Sequence, residues 1–157
     1  MDLERTLEMA GQLRDLIAGE VSRARGERQL IRTLDASALF ARATERSAFV
    51  SEVARLEREF ALAIGRAAGT VGLVPGTFER LRARAPGETD LLIGILSEVR
   101  SLAAALQEVD RLNLRLADRA LACVRGYMEA LRPSVRAYDR HGLRGSAPAL
   151  AMVSSKG

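Results

Sequence analysis

The residue types best suited to chemistry lie together near the end of the 157-residue chain. The stretch VRAYDRHGLRG, residues 135–145, holds Tyr138, Asp139, three arginines and the only histidine, His141, beside Gly142 and Gly145. A nucleophile–histidine–acid set could be drawn from Ser146, His141 and Asp139. Such a set works only when its members are held in a fixed geometry. The Gly- and Ser-containing end, GSAPALAMVSSKG, reads instead as flexible chain. A metal site needs several converging ligands, and no carboxylate or thiol cluster surrounds His141 in sequence. Cys123 is the sole cysteine, which excludes disulfides and cysteine metal clusters within the chain. It falls on an apolar stripe and is expected to be a small core residue. Neither a GxGxxG nor a GxxxxGK[ST] phosphate loop occurs. The expectation is a protein that is no enzyme and uses no cofactor or metal.

The charge pattern narrows the choice of partner. Lys and Arg number 24 and Asp and Glu 20, a net charge of +4. From Arg132 onward there are five basic residues and one acid, so the tail carries the whole excess. Residues 1–131 are an even mix of both signs. The pI of about 10.1 suits a nucleic-acid binder. A neutral body and 4% aromatic content argue against one, because bases need stacking platforms. The N-terminus, MDLERTLEMAGQLRD, is charged throughout and has no signal-peptide apolar block. No stretch approaches the roughly 20 apolar residues of a membrane span. A cytoplasmic protein without stable membrane insertion is expected.

The elements that would position these residues are helices. The composition is rich in Leu, Ala, Arg and Glu and lacks Trp, which favours helix over sheet. Leu3, Leu7, Ala10, Leu13, Ile17, Val21, Ala24, Arg28, Ile31 and Leu34 step by three and four, predicting a helix over about 3–34. Gly11, Gly19 and Gly26 weaken it, so it needs a partner. Asp35 can cap a second helix over about 35–68, whose stripe includes Leu39, Arg42, Arg46, Phe49, Val53, Leu56 and Phe60. Arg46 is expected to snorkel from the seam edge to water. A loop at 69–88 could hold a short helix at 77–84.

The third pattern is the clearest. Leu92, Ile95, Val99, Leu102, Leu106, Val109, Asn113, Leu116, Ala120, Cys123, Tyr127 and Ala130 follow a coiled-coil seam over about 89–131, ended by Pro133. Such a helix would be roughly 65 Å long. Asn113 on a seam costs stability but can fix register. Together the segments predict an all-α fold: an elongated antiparallel helical bundle or coiled coil of three main helices over 1–132, with a flexible basic tail over 133–157. Apolar seams can accept an amphipathic helix from a partner, or can satisfy one another within the bundle or a homodimer. Periodicity does not separate these.

EVDRLNLRLADRALACVRGYMEALRPSVRAYDRHG, with Asn113, Leu131, Tyr138 and Gly142, resembles the C-terminal half of the FlgN family. EVSRARGERQLIRTLDASALFARATERSAFVSEVARLE is similar to that family's first hairpin, although the family often has a lysine where this chain has Arg46. The resemblance covers about residues 10–142. It implies a cytoplasmic type III export chaperone for hook-associated subunits, FlgK and FlgL, delivering them to the export gate FlhA. It requires no nucleotide and no metal. It implies a substrate site for an amphipathic helix along Leu106, Val109, Asn113, Leu116, Ala120 and Val124. It also implies a docking peptide for the gate at Tyr138, Asp139 and Gly142, although Tyr138 could instead dock back onto the bundle. The alternatives are a structural coiled-coil adaptor or homodimer and, behind these, a basic nucleic-acid-binding helical protein.

Overall fold

The apolar steps of three and four become four helices in the computed structural model, which describes residues 2–131. These are α1 (Asp2–Thr33), α2 (Ala36–Ala68), α3 (Thr77–Arg84) and α4 (Pro86–Leu131). The tail with Tyr138, Asp139, His141 and Gly142 lies outside the described residues. The chain divides into a first unit, Met1–Ala122, and a second, Cys123–Gly157. The described part of the second unit is the last stretch of α4.

The boundaries have local causes. At the end of α1 the N–H of Leu34 donates to Ile31 O at 3.3 Å, and that of Asp35 to Leu30 O at 3.1 Å. These two bonds satisfy carbonyls that the helix leaves open. The geometry requires a left-handed residue, and Leu34 supplies it with φ 54°. α2 ends the same way, with Gly69 at φ 70° in the equivalent position. Asp35 caps α2 as expected, its Oδ1 accepting from the N–H of Ala38 at 3.0 Å. The short helix α3 falls on the expected span. α4 starts earlier than the apolar pattern does, because Pro86 occupies its first turn, where a missing N–H costs nothing.

Within the first unit, α1 and α2 form an antiparallel hairpin and α4 packs beside it. Leu13, Ile17, Val21 and Ala24 of α1 meet Leu56 of α2 and Leu106 and Val109 of α4 in one buried cluster. Ala10, Ile64, Ala68, Leu81 and Leu92 form a second cluster, towards α3. Each fully buried aliphatic side chain contributes about 1.5–3 kcal/mol. Cross-helix contacts fix the directions. Arg14 approaches Glu98 at 3.6 Å, and Asn113 bonds Ala24 O. Ascending positions on α1 thus meet ascending positions on α4, and the two helices run parallel. Among the described residues, no helix is long and apolar enough to cross a membrane.

The three-and-four stripe of α4 is covered only along part of its length. Leu92, Leu106, Val109 and Asn113 are buried, and Leu116 and Ala120 are half-buried. Cys123, expected in the core, is exposed, as are Tyr127 and Ala130. Period alone places them on the stripe, but nothing among the described residues covers that part of it.

Candidate functional site

Charged side chains on the inner faces of α1 and α2 meet in the middle of the first unit. Glu20 is 0% exposed. It accepts from Arg42, from Arg23 Nε at 3.0 Å and from Arg46 Nη1 at 3.0 Å. A buried carboxylate is costly unless its lone pairs are filled and its charge is matched, and here three guanidinium groups do both. Burial pushes the Glu20 carboxyl up. Hydrogen bonds from Arg42 and Arg23, with the charges of Arg42 and Arg46, outweigh it and hold the carboxyl below its ordinary range.

Arg46 corrects the expectation that it reaches out to water. Its side chain is 28% exposed and ties three helices together. Nη1 donates to Glu20 of α1 and, at 3.0 Å, to Asp110 Oδ1 of α4, while Nη2 donates to Asp110 Oδ2. The reason is the demand of buried Glu20 for donors. Phe49 lies beneath the guanidinium, 5.8 Å from ring centroid to Cζ. Burial works against the charge of Arg46, and Asp110, Glu20 and Glu27 outweigh it and raise its pKa. Arg42 is less well served. Its Nε and Nη1 are buried without hydrogen-bond partners among the described residues, with Glu27 and Glu45 each at 3.6 Å.

Asn113 closes this polar layer. Its amide donates to Ala24 O at 2.7 Å and to Glu27 Oε2 at 3.1 Å, and its oxygen accepts from Arg28 Nε at 3.3 Å. Sliding α4 by one turn would break all three bonds. The register role expected of a seam asparagine is thus realised through α1.

Beyond that layer a groove opens between the α1–α2 turn and α4. Its volume is about 450 Å³. Ile31, Leu34, Leu39, Leu114, Ala117 and Leu121 make its apolar walls, and Glu27, Arg46, Asp110 and Asn113 form its polar lining. Leu114 is 64% exposed and Leu121 52%. Leu34 owes its place here to its left-handed turn.

The residues expected to receive a partner helix fall in different places. Leu106 and Val109 are in the core cluster. Asn113 lines the groove while bonded to α1, and Ala120 lines the groove. Leu116 lies in a separate cleft facing Arg28. Val124 is exposed in the second unit, on a face shared with Met128. Glu20, Glu27 and Asp110 were not singled out from the sequence. The available signal was Arg42 and Arg46, two charges one turn apart on an apolar stripe, which demand buried carboxylates opposite.

A family model described as FlgN protein matches residues 3–145 of the chain. No curated protein and no solved structure gave a significant match.

Proposed function

Because the chain belongs to the FlgN family, a family of flagellar export chaperones and not of enzymes, we propose that the groove beside Asn113 is where it holds its export substrate. The substrate would be a hook-associated subunit of the FlgK or FlgL type, bound through an amphipathic helix. The observation that carries this reading is the row of uncovered leucines, Leu34, Leu114 and Leu121, along the groove. A free amphipathic helix presents on the order of several hundred Å² of apolar surface, and covering it is favourable by about 25 cal/mol per Å². Ordering the subunit's helix offsets part of that gain, which leaves the complex able to release its cargo. Of the residues expected from the sequence, Ala120 and Asn113 would touch the helix. Leu106 and Val109 would act from beneath by holding α4 in place.

Delivery to the export gate, FlhA, is assigned in this reading to Tyr138, Asp139 and Gly142. Tyr138 offers an apolar ring with a polar tip, and the surrounding arginines could steer the tail to an acidic surface. The protein would act in the cytoplasm. Copurification from cytosol tests both parts, using the full chain, a Leu114→Asp/Leu121→Asp variant, and a chain ending at Ser134. The full chain should recover hook-associated subunits and the gate. The double variant should lose the subunits while keeping its helicity, and the shortened chain should lose only the gate. Full recovery of subunits by the double variant would remove the groove from the proposal. Recovery of the gate by the shortened chain would remove the tail.

A further inference from the structure

A second surface, on the α1–α4 face, is not used by the groove. Leu112 and Leu116 of α4 floor a cleft of about 290 Å³, walled by Arg28 of α1 and by Arg115 and Arg119 of α4. Arg32 follows Arg28 by one helical turn, as Arg119 follows Arg115, so each pair shares an edge of its helix. At about 3.6 residues per turn, the α4 positions lie across the helix from Leu114, Ala117 and Leu121. The cleft is therefore a different surface from the apolar groove.

The charges here are unmatched. Arg111, one turn before Arg115, is paired with Glu108 at 2.7 Å. Among the described residues, no carboxylate comes within ion-pair distance of Arg32, Arg115 or Arg119. Asp118 adjoins Arg119 in sequence and follows Arg115 by three residues, and it pairs with neither. Arg28 uses Nε toward Asn113 and no other nitrogen. In a body whose charges balance as a whole, this is a local positive excess beside the exposed Leu112 and the half-buried Leu116.

We propose that this cleft binds an acidic segment of a protein partner. The segment would place carboxylates one helical turn apart against Arg115, Arg119 and Arg32, with a leucine-sized side chain between them on Leu112 and Leu116. A guanidinium fork matches a carboxylate in two parallel hydrogen bonds. The aliphatic floor favours a peptide over a single-stranded nucleic acid, whose bases stack on aromatic rings, and the cleft contains none. Because Arg115 and Arg119 are exposed and make no internal bonds, they can be reversed without disturbing the fold.

The test is fluorescence anisotropy with a labelled peptide of about 15 residues, built with Leu on one face and Glu at one-turn spacing beside it. A counterpart carries Gln at every Glu. The full chain should bind the Glu peptide at least about tenfold more tightly than the Gln peptide. R115E/R119E should lose at least about tenfold, and L114D/L121D should bind as the unaltered chain does. Raising salt from about 50 to about 300 mM should weaken the complex. Equal binding of the Glu and Gln peptides would overturn the proposal, as would no binding at all. A loss caused by L114D/L121D would place the peptide in the apolar groove instead. Displacement by an oligothymidylate at lower concentration than by unlabelled peptide would assign the arginines to nucleic acid.

Discussion

Removing Glu20 should harm the fold more than removing Arg42, its closest partner. Glu20 is wholly buried and receives three guanidinium groups. Glu20→Leu leaves Arg42 buried with no hydrogen-bonded acceptor, and strips Arg46 of one of its two. Breaking a buried pair from one side costs about 3–5 kcal/mol, a large part of the roughly 5–15 kcal/mol that holds a domain folded. Arg42→Met is different. Glu20 keeps Arg23 and Arg46, both at 3.0 Å. The substitution also removes two buried nitrogens that already lack hydrogen-bond partners. We expect it to cost about 1–2 kcal/mol. The double variant should be more stable than the sum of the single losses predicts, by about 1–3 kcal/mol, because the orphaned charge is gone. Urea unfolding followed by far-ultraviolet circular dichroism measures all four corners of this cycle, and an unchanged slope shows that the unfolded state is the same in each. If Arg42→Met costs as much as Glu20→Leu, the asymmetry argued from the hydrogen bonds is wrong.

The same carboxylate gives the fold a pH dependence whose sign follows from its surroundings. The folded-state pKa of Glu20 lies below its ordinary value despite burial. Its contribution is therefore fully present above the unfolded value of about 4.3, and is lost as pH falls through the folded value. The difference in stability between the unaltered chain and Glu20→Gln should stay constant from neutral pH down to about pH 5, then shrink as acid is added. A difference that grows below about pH 4 would refute the assignment.

Five further substitutions have signs set by local geometry. Asn113→Ala should cost about 1–3 kcal/mol in urea unfolding, since it frees Arg28 Nε and removes both amide bonds to α1. Gly65→Ala should destabilise by about 1–3 kcal/mol, because the new Cβ would fall 2.4 Å from Gly72 N. Gly11→Ala and Gly26→Ala, with nothing within 4 Å of a new Cβ, should instead stabilise by up to about 1 kcal/mol. Leu34→Gly relieves a left-handed leucine, worth about 1–2 kcal/mol, against a more flexible unfolded chain costing up to about 1 kcal/mol. It should unfold no earlier than the unaltered chain yet retain less hook-associated subunit in copurification.

What the sequence showed depended on whether a property is periodic. The spans of α1, α2 and α4 follow from unbroken three-and-four steps, and Asp35 announced the start of α2 by its type and place. Asn113 was legible for the same reason, as a polar residue on an apolar seam. Glu20 was not, because it adjoins Val21 on the covered face of a helix already crowded with Glu and Arg, where one more acid carries no mark. Its presence was implied only by Arg42 and Arg46 on the α2 stripe, and Arg46 was read as a side chain that escapes to water. Cys123 and Tyr127 failed in the opposite way. They keep the period of the seam, but a period records which face a residue occupies and not whether anything lies against it.

The limit of coverage on α4 follows from the lengths and register of its neighbours. Asn113 bonds Ala24 of α1, and the two helices run parallel with equal rise, so Thr33 at the end of α1 comes level with about residues 118–122 of α4. The α1–α2 turn and its left-handed Leu34 therefore stand where Leu121 does, and the groove is the space left where the hairpin ends. Moving the register by one turn would carry that edge with it. Asn113 and the Arg46–Asp110 pair oppose such a shift, because each would lose buried bonds. The polar layer costs the core some apolar burial. In return it fixes, to within a turn, which leucines of α4 stay uncovered.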